Sequence, residues 1–293
     1  MRKIVQEICA DTKFKSCYLI GSLTKFKQDF SYNFFSRKSI DTDISKQMDE
    51  VTRLLREILY RQRVATLLEK NVFRFNFNGQ TIHLSLPDAQ DDYIQKVILQ
   101  TSCFFEAALL SQIAKMGLIG RDTVVCDIGA NIGNHSVYFG RVLGAQTVVS
   151  CEPQPHVFDT LNRNLALNKL PTNNTFNVML GKNSGRGEVE HFNARNHGAT
   201  MLKASDEGQV EMMTLDALTA TYGAVGFLKL DVEGYEASVL GGAERVLSKD
   251  SPPIWVELAH GEKNMNATRT ILEANNYKEH VQLAKYDFLF LPK

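Results

Sequence analysis

The run Val124-Val125-Cys126-Asp127-Ile128-Gly129-Ala130-Asn131-Ile132-Gly133-Asn134-His135 constrains this chain more than any other. A short apolar stretch ends in an acid, a glycine-bearing turn follows, and a helical pattern follows the turn. Strand-to-helix turns of this kind bring main chain close to a ligand, and their amides are expected to face a polar or anionic group. The details exclude two common ligands. A dinucleotide fingerprint needs glycine at its first, third and sixth positions. Counting from Gly129, those positions hold Asn131 and Asn134. No Gly-Lys-Ser/Thr follows, which excludes a phosphate-binding P-loop. What remains is Asp-x-Gly-x-x-x-Gly.

From residue 121 onward strand and helix patterns alternate. Strands are expected over 124–126, 147–151, 175–180, 227–230 and 254–258, with helices over 136–143, 157–167 and 237–247. Segments 188–192 and 209–213 read as additional strands, and 281–291 as a final hairpin strand or pair. The expected fold is α/β, an open doubly wound sheet that binds ligands at the carboxyl ends of its strands. Upstream, residues 72–86 alternate on either side of Asn78-Gly79, a two-residue hairpin signal. His83 falls on the polar phase of that hairpin and is expected to be exposed and idle. A helix is expected over 104–117.

Residues 1–70 read as an N-terminal helical extension, leaving 71–293 as the main domain. Ile44, Met48, Val51, Leu55, Ile58 and Leu59 recur at three- and four-residue steps. Asp41 and Asp43 lie where a cap is expected. This helix is expected to pack on the main domain or to pair with a second copy of itself, making a homo-oligomer. Phe26, Phe30, Phe34 and Phe35 suggest burial against an unplaced surface.

Composition removes several function classes. The 293 residues carry 33 basic and 33 acidic side chains, so no net charge argues for a nucleic-acid partner. The cysteines, Cys9, Cys17, Cys103, Cys126 and Cys151, are odd in number and form no C-x-x-C pair. That speaks against a disulfide framework and a zinc knuckle. Cys126 and Cys151 are expected to be small buried hydrophobes. No apolar run reaches a membrane span of roughly 18–20 residues. The N-terminus lacks the apolar core of a signal peptide, so a cytoplasmic location is expected.

Three further places carry chemistry. Glu152 ends the second expected strand, about 20 residues past the turn, where a nucleoside site places an acid against the ribose hydroxyls. Pro153 then breaks the strand. In Phe227-Leu228-Lys229-Leu230-Asp231-Val232-Glu233-Gly234-Tyr235-Glu236, acids cluster where the fourth core strand ends. In an extended segment Asp231 and Glu233 share a side. Glu236 is expected to open the next helix, where the dipole favours an acid. Glu257 and His260 end the following strand.

The motifs from Asp127 to His135, Glu152-Pro153, and Leu228 to Glu236 together resemble those of the FkbM-type methyltransferases, a class I family. Phe105-Glu106 resembles that family's aromatic-Glu pair. The resemblance covers about residues 90–260. It implies a Rossmann-like class I methyltransferase sheet and S-adenosylmethionine-dependent O-methylation, commonly of a sugar hydroxyl in a glycan or glycoconjugate. A polyketide-like natural product is the alternative acceptor, and a non-catalytic S-adenosylmethionine-binding module the alternative class. No Asn/Asp-Pro-Pro-Tyr/Phe motif follows the fourth strand, which speaks against base N-methylation.

Carried over by position, Asp127, Gly129, Ala130, Asn131, Gly133 and Asn134 line the cofactor's methionine and ribose. Glu152 and Pro153 hold the ribose, and Met179 and Leu180 flank the adenine. His197, in the segment Asn196-His197-Gly198-Ala199-Thr200, and Glu257 are candidates for contact with substrate. An alcohol needs a base as it is alkylated. Asp231 or His260 is the candidate, with Lys229 or Glu233 orienting the hydroxyl. A second version places a divalent cation on Asp231, Glu233, Glu257 and His260, an oxygen-rich set suited to magnesium, calcium or manganese.

Overall fold

The computed structural model describes residues 40–191, 193 and 195–293. The expectations for Phe26, Phe30, Phe34, Phe35, Cys9 and Cys17 lie outside these residues. Helix α1 spans Ile40–Lys70. Asp41 and Asp43 therefore lie in its first turn rather than before it, which corrects the expected caps. Strands β1 (Phe73–Phe77) and β2 (Gln80–Leu84) form an antiparallel hairpin. Asn78 and Gly79 turn it with φ of 47° and 78°, the left-handed angles this turn type needs. His83 is half-buried rather than exposed.

Helix α2, Tyr93–Thr101, was not expected from the sequence. It begins at Asp92, whose carboxylate accepts from Gln95 N at 2.9 Å and caps the first turn. Helix α3 covers Ala107–Met116, so Phe104, Phe105 and Glu106 precede it instead of forming its first turn.

The main sheet begins with β3 (Val124–Ile128) and helix α4 (Asn134–Val137), which continues as a π-turn through Val142. Then come β4 (Thr147–Cys151), α5 (Pro155–Leu167) and β5 (Thr175–Phe176). The expected strand 175–180 is broken in two. The Asn177 side chain donates to the Glu152 carbonyl at 2.8 Å, taking over where the ladder would continue. Met179–Leu180, β6, joins a separate four-stranded sheet with β7 (Gly185–His191), β8 (Met201–Ala204) and β9 (Val210–Met213).

Helix α6 (Leu215–Thr219) leads to β10 (Val225–Leu230) and α7 (Glu236–Gly241). The helix expected over 237–247 is interrupted after Gly241, and helical turns resume as a π-helical segment over Val246–Asp250. The chain ends with β11 (Ile254–Glu257), α8 (Glu262–Ala274), β12 (Tyr277–Gln282) and β13 (Asp287–Pro292).

The seven main strands run in the order β12-β13-β11-β10-β3-β4-β5. Strands β11, β10, β3, β4 and β5 are parallel, and β13 runs antiparallel to both of its neighbours, β11 and β12. The order reverses at β3, which feeds β4 on one side and has β10 on the other. The crevice at this reversal is where such a sheet binds ligands.

Alternation along the strands builds a core on each face. Val125, Phe227, Trp255 and Leu289 pack on one side with Phe139 and Leu161. Cys126, Leu228, Ile254 and Val256 pack on the other with Val239 and Leu272. Each such large side chain contributes about 1.5–3 kcal/mol by leaving water. The hairpin docks on the first face, where Phe104 meets Phe75 and Tyr138 edge-on at 5.2 Å. Asn164 and Asn168 of α5 bind both the N–H and the C=O of Ser85 and His83 respectively, acting as a partner for the hairpin's free edge.

Candidate functional site

A cavity of about 280 Å³ opens at the β3/β10 reversal. Its floor is the turn after β3, where Gly129, Asn131 and Gly133 have φ of 78°, 50° and 82°. Glycine at 129 is a packing requirement. A Cβ there would lie 1.7 Å from the Asp231 carbonyl oxygen. The turn therefore rests on the exit of β10, and Asp231 N donates to Ile128 O at 3.1 Å.

The turn does not offer the free amides expected from the sequence. Gly129 N and Ala130 N both donate to Cys151 O, at 3.1 and 2.8 Å. Asn131 N donates to Glu152 Oε2 at 3.0 Å, and Ile132 N to the Asn131 side chain at 2.6 Å. What faces the cavity is the glycine-thinned main chain and the Glu152 carboxylate.

Glu152 is buried, with Gln154 N donating to Oε1 at 2.9 Å. Each carboxylate oxygen thus takes one backbone amide and keeps a lone pair for another donor. Burial pushes this carboxyl up to about 7, while the amides of Gln154 and Asn131 pull it back. Pro153, Val178, Met179 and Leu180 add an apolar wall beside it.

Two expected cofactor residues do not touch that space. Asp127 lies within β3, fully buried beneath the turn, and accepts from Ser136 Oγ at 2.5 Å. Gly133 faces Leu161, where an added Cβ would lie 2.7 Å from Cδ1. Ala130, Asn131 and Asn134 do reach the wall. Asn134 is also tied to Phe105, accepting from its N at 3.0 Å and donating to its O at 3.1 Å.

The opposite wall consists of charged side chains. Lys229 pairs in register with Asp127 and Trp255 across the strands, so its stem enters the core. It is 3% exposed, with its ammonium 3.6 Å from Asp127 and 3.1 Å from Asp231. Burial works against its charge, but Asp231 and Asp127 hold it protonated well above its ordinary range. Burial likewise opposes the charge on Asp231. Lys229 and a hydrogen bond from Glu257 win and hold that carboxyl below its usual range. Burial and the Asp231 charge push Glu257 up to about 10. At neutral pH this pair of carboxyls therefore shares one proton, which sits on Glu257.

Glu233 approaches Asp231 through a turn, not along an extended segment as expected. Glu233 and Gly234 have φ of 54° and 96°. Glu236 closes this turn by accepting from Gly234 N at 3.0 Å, and it opens α7. His260 stands behind Glu233 and ion-pairs with it. That pairing raises the imidazole above its ordinary range against the effect of burial. His260 is not among the residues that line the cavity. Asp231, Glu233 and Glu257 offer oxygens within 4.8 Å of one another; His260 is not part of that set.

His197 lies beside the turn, not at the charged end. It is buried, its N donates to Asp92 Oδ2 at 2.9 Å, and its carbonyl accepts from Gln154 at 2.9 Å. Gly198 next to it passes within contact of Asn131. The segment 195–200 thus arches over the cofactor side, anchored on Asp92. Tyr93, Ile94, Phe105, Glu106, His135, Gln154 and Asn196 also line the cavity without having been picked as site residues from sequence. For Glu106 the resemblance gave a signal. Its φ of 56° turns it away from α3 and toward His135, 3.2 Å away. For α2 the sequence held no signal; for the arch it held the segment Asn196 to Thr200, whose placement depends on the Asp92 contacts.

The strand order, with its antiparallel last hairpin, and the glycine turn backed by Glu152 define a class I S-adenosylmethionine-dependent methyltransferase. Residues 127–279 match the methyltransferase FkbM domain, and the chain belongs to that family. It is 23% identical over 185 residues to "Methyltransferase 1" of Beauveria bassiana (strain ARSEF 2860), covering 55% of this chain and 74% of that protein. Among solved structures it is similar to methyltransferase FkbM from Methylobacillus flagellatus KT, at 20% identity and a TM-score of 0.46. That alignment covers 69% of this chain and 56% of the Methylobacillus protein, so this chain matches little more than half of that protein's length. Aeropyrum pernix fibrillarin with natively bound S-adenosyl-L-methionine aligns at 13% identity and a TM-score of 0.40, over 76% of this chain and 82% of that one. No helix among the described residues is long and apolar enough to cross a membrane.

Proposed function

We propose that this chain is an O-methyltransferase acting on a sugar hydroxyl of a glycan or glycoconjugate. The observation that carries the proposal is the cluster of Asp231, Glu233 and Glu257 on the wall opposite Glu152, whose oxygens lie within 4.8 Å of one another and where burial and the Asp231 charge push Glu257 up to about 10. Such a wall both accepts from and donates to neighbouring hydroxyls, which suits a polyol. The donor set suits the cofactor. Glu152 has an acceptor position left on each oxygen for the ribose hydroxyls, and Met179, Leu180 and Val178 offer an apolar face for adenine. When bound, S-adenosylmethionine supplies a methyl group activated by a sulfonium.

The residues on the acceptor side position an oxygen and take its proton. Asp231 accepts the hydroxyl hydrogen and so aims a lone pair into the cavity; such alignment can supply much of the rate. A hydroxyl proton becomes strongly acidic as its oxygen is alkylated. A carboxylate suffices to receive it, even one that Lys229 holds acidic. Lys229 fixes the position of Asp231, and Glu257 donates to it and keeps the second charge out of the site. From Asp231, 30% exposed, the proton leaves to solvent past Glu233 and His260.

Incubation with labelled S-adenosylmethionine and an oligosaccharide panel tests the proposal, with mass spectrometry locating one added methyl on a sugar oxygen. Transfer confined to polyketide-like alcohols, proteins or nucleic acids contradicts it.

A divalent cation in place of the shared proton is the second reading, favoured by the convergence of Asp231, Glu233 and Glu257. Three carboxylate oxygens suit a hard cation. Against it, Lys229 already pairs with Asp231, and Glu257 is pushed up to about 10, which lowers the charge available to a cation. Activity that survives thorough chelation removes the cation reading. Activity lost and then restored by magnesium or manganese supports it.

A further inference from the structure

The residues that hold Glu152 leave polar atoms of their own unused. Asn131 and Gln154 supply the two backbone amides on its carboxylate. The Asn131 side chain turns Oδ1 to Ile132 N at 2.6 Å, which leaves Nδ2 as a donor. The Gln154 side chain donates Nε2 to the His197 carbonyl at 2.9 Å, which leaves Oε1 as an acceptor. Among the described residues neither leftover atom has a hydrogen-bond partner, although both are buried. The same holds for Asn196 Oδ1. All three residues line the cavity.

Segment 195–200 carries Asn196 to this place. Tyr93 N donates to Arg195 O at 2.9 Å, and His197 N to Asp92 Oδ2 at 2.9 Å. Main-chain groups on both sides of Asn196 are thus tied to the body of the protein. Gly198 allows the close approach. A Cβ there would lie 3.0 Å from Asn131 Nδ2 and 3.2 Å from Asn196 Oδ1, so both atoms border one spot. A buried polar atom without a partner costs about 1–3 kcal/mol. Three of them beside one carboxylate mark a place where a ligand supplies the missing bonds.

We propose that segment 195–200 is part of the cofactor site and that Asn196 is a specificity residue for the cofactor's ribose. The proposal rests on the reading that this ribose lies against Glu152. The leftover atoms are uncharged and comprise a donor and acceptors, which fits hydroxyls. The cofactor's carboxylate would meet the two acceptors here, and its ammonium the Asn131 donor. A hydroxyl that donates to Glu152 still has lone pairs for a donor, and Asn131 Nδ2 is fixed as one. The Asn196 amide meets the second hydroxyl. The acceptor is not the occupant, because the atoms flank Glu152 while the proposed acceptor groups stand on the opposite wall. His197, expected from the sequence to touch substrate, instead anchors this segment through its own N and O.

Calorimetry with S-adenosylmethionine and no acceptor tests the proposal. Asn196→Ala is expected to bind it about three- to tenfold more weakly, the worth of one neutral hydrogen bond. Its melting temperature without ligand is expected to be no lower than wild type, because the substitution removes a buried atom that has no partner. S-adenosylhomocysteine and its 2′-deoxy and 3′-deoxy analogues read the contact itself. The variant's loss should appear with the parent compound and vanish with one of the deoxy forms. Wild-type affinity in Asn196→Ala, or a loss of the same size for every one of these compounds, overturns the proposal. Glu152→Gln measured alongside separates the two readings. If it binds like wild type, the ribose assignment falls. If it weakens while Asn196→Ala does not, that assignment stands and only the role of segment 195–200 falls.

Discussion

At the turn after β3 the cavity wall is main chain. Gly129, Asn131 and Gly133 adopt left-handed angles, and their amides are spent on Cys151 O, Glu152 and Ala130 O respectively. At the ends of β10 and β11 the wall is side-chain charge: Lys229, Asp231, Glu233 and Glu257. The first wall shapes the space with main chain, and Glu152 is the titratable group beside it. The second holds a shared proton and a buried ammonium, and can exchange protons with whatever enters. In the proposed function, recognition of the cofactor and chemistry on the acceptor fall to these different materials.

The comparison fails if damage to the charged wall also abolishes cofactor binding. Asp231→Asn is expected to give the largest effect, a loss of roughly 10²–10⁴-fold in turnover. Its S-adenosylmethionine affinity is expected to stay close to wild type by calorimetry. Lys229→Met is expected to cost about 3–5 kcal/mol in urea unfolding, because it leaves the buried carboxylate of Asp127 without its cation.

The main-chain wall is probed by a pair of glycines. Gly129→Ala and Gly133→Ala both carry the strain of a left-handed angle, of order 1–3 kcal/mol. At 129 the new methyl meets the Asp231 backbone, whereas at 133 it meets the movable end of Leu161. Gly129→Ala is therefore expected to be the more destabilising in thermal melts. Equal effects contradict the stacking of turn on strand exit.

A smaller effect separates chemistry from stability. Glu257 is raised to about 10, so the folded chain loses stability as pH rises from the ordinary carboxylate range toward that value. Glu257→Gln keeps the donor to Asp231 and removes that loss. Its melting temperature is expected to fall less than the wild type's between neutral and alkaline pH. A wild-type-like slope contradicts the assigned proton.

How much was legible in the sequence follows the same division. The glycine turn, the acid at 152 and the strand alternation have fixed local spacings, so the doubly wound sheet and the cofactor side could be read in advance. The break after Phe176 could not, since it depends on Asn177 reaching the Glu152 carbonyl. Asp127 looked like a ligand because it ends an apolar run; its burial under Ser136 and Lys229 appears only once β10 lies beside β3. The pairing of His260 with Glu233 and the raised carboxyl of Glu257 beside Asp231 likewise arise from contacts between segments apart in sequence.

The central claim is that Glu152 holds the cofactor through its ionised carboxylate. Calorimetric titration with S-adenosylmethionine, a pH unit below and above 7, tests it most directly. Because burial raises this group to about 7, its protonation on the acid side removes acceptor capacity and weakens binding there. Wild-type affinity is expected to fall as the pH drops through 7. Glu152→Gln is expected to bind about tenfold more weakly on the alkaline side and to show a flattened profile, as the loss of hydrogen bonds to a charged group implies. A Glu152→Gln chain that binds as tightly as wild type, with the same pH dependence, would contradict the account.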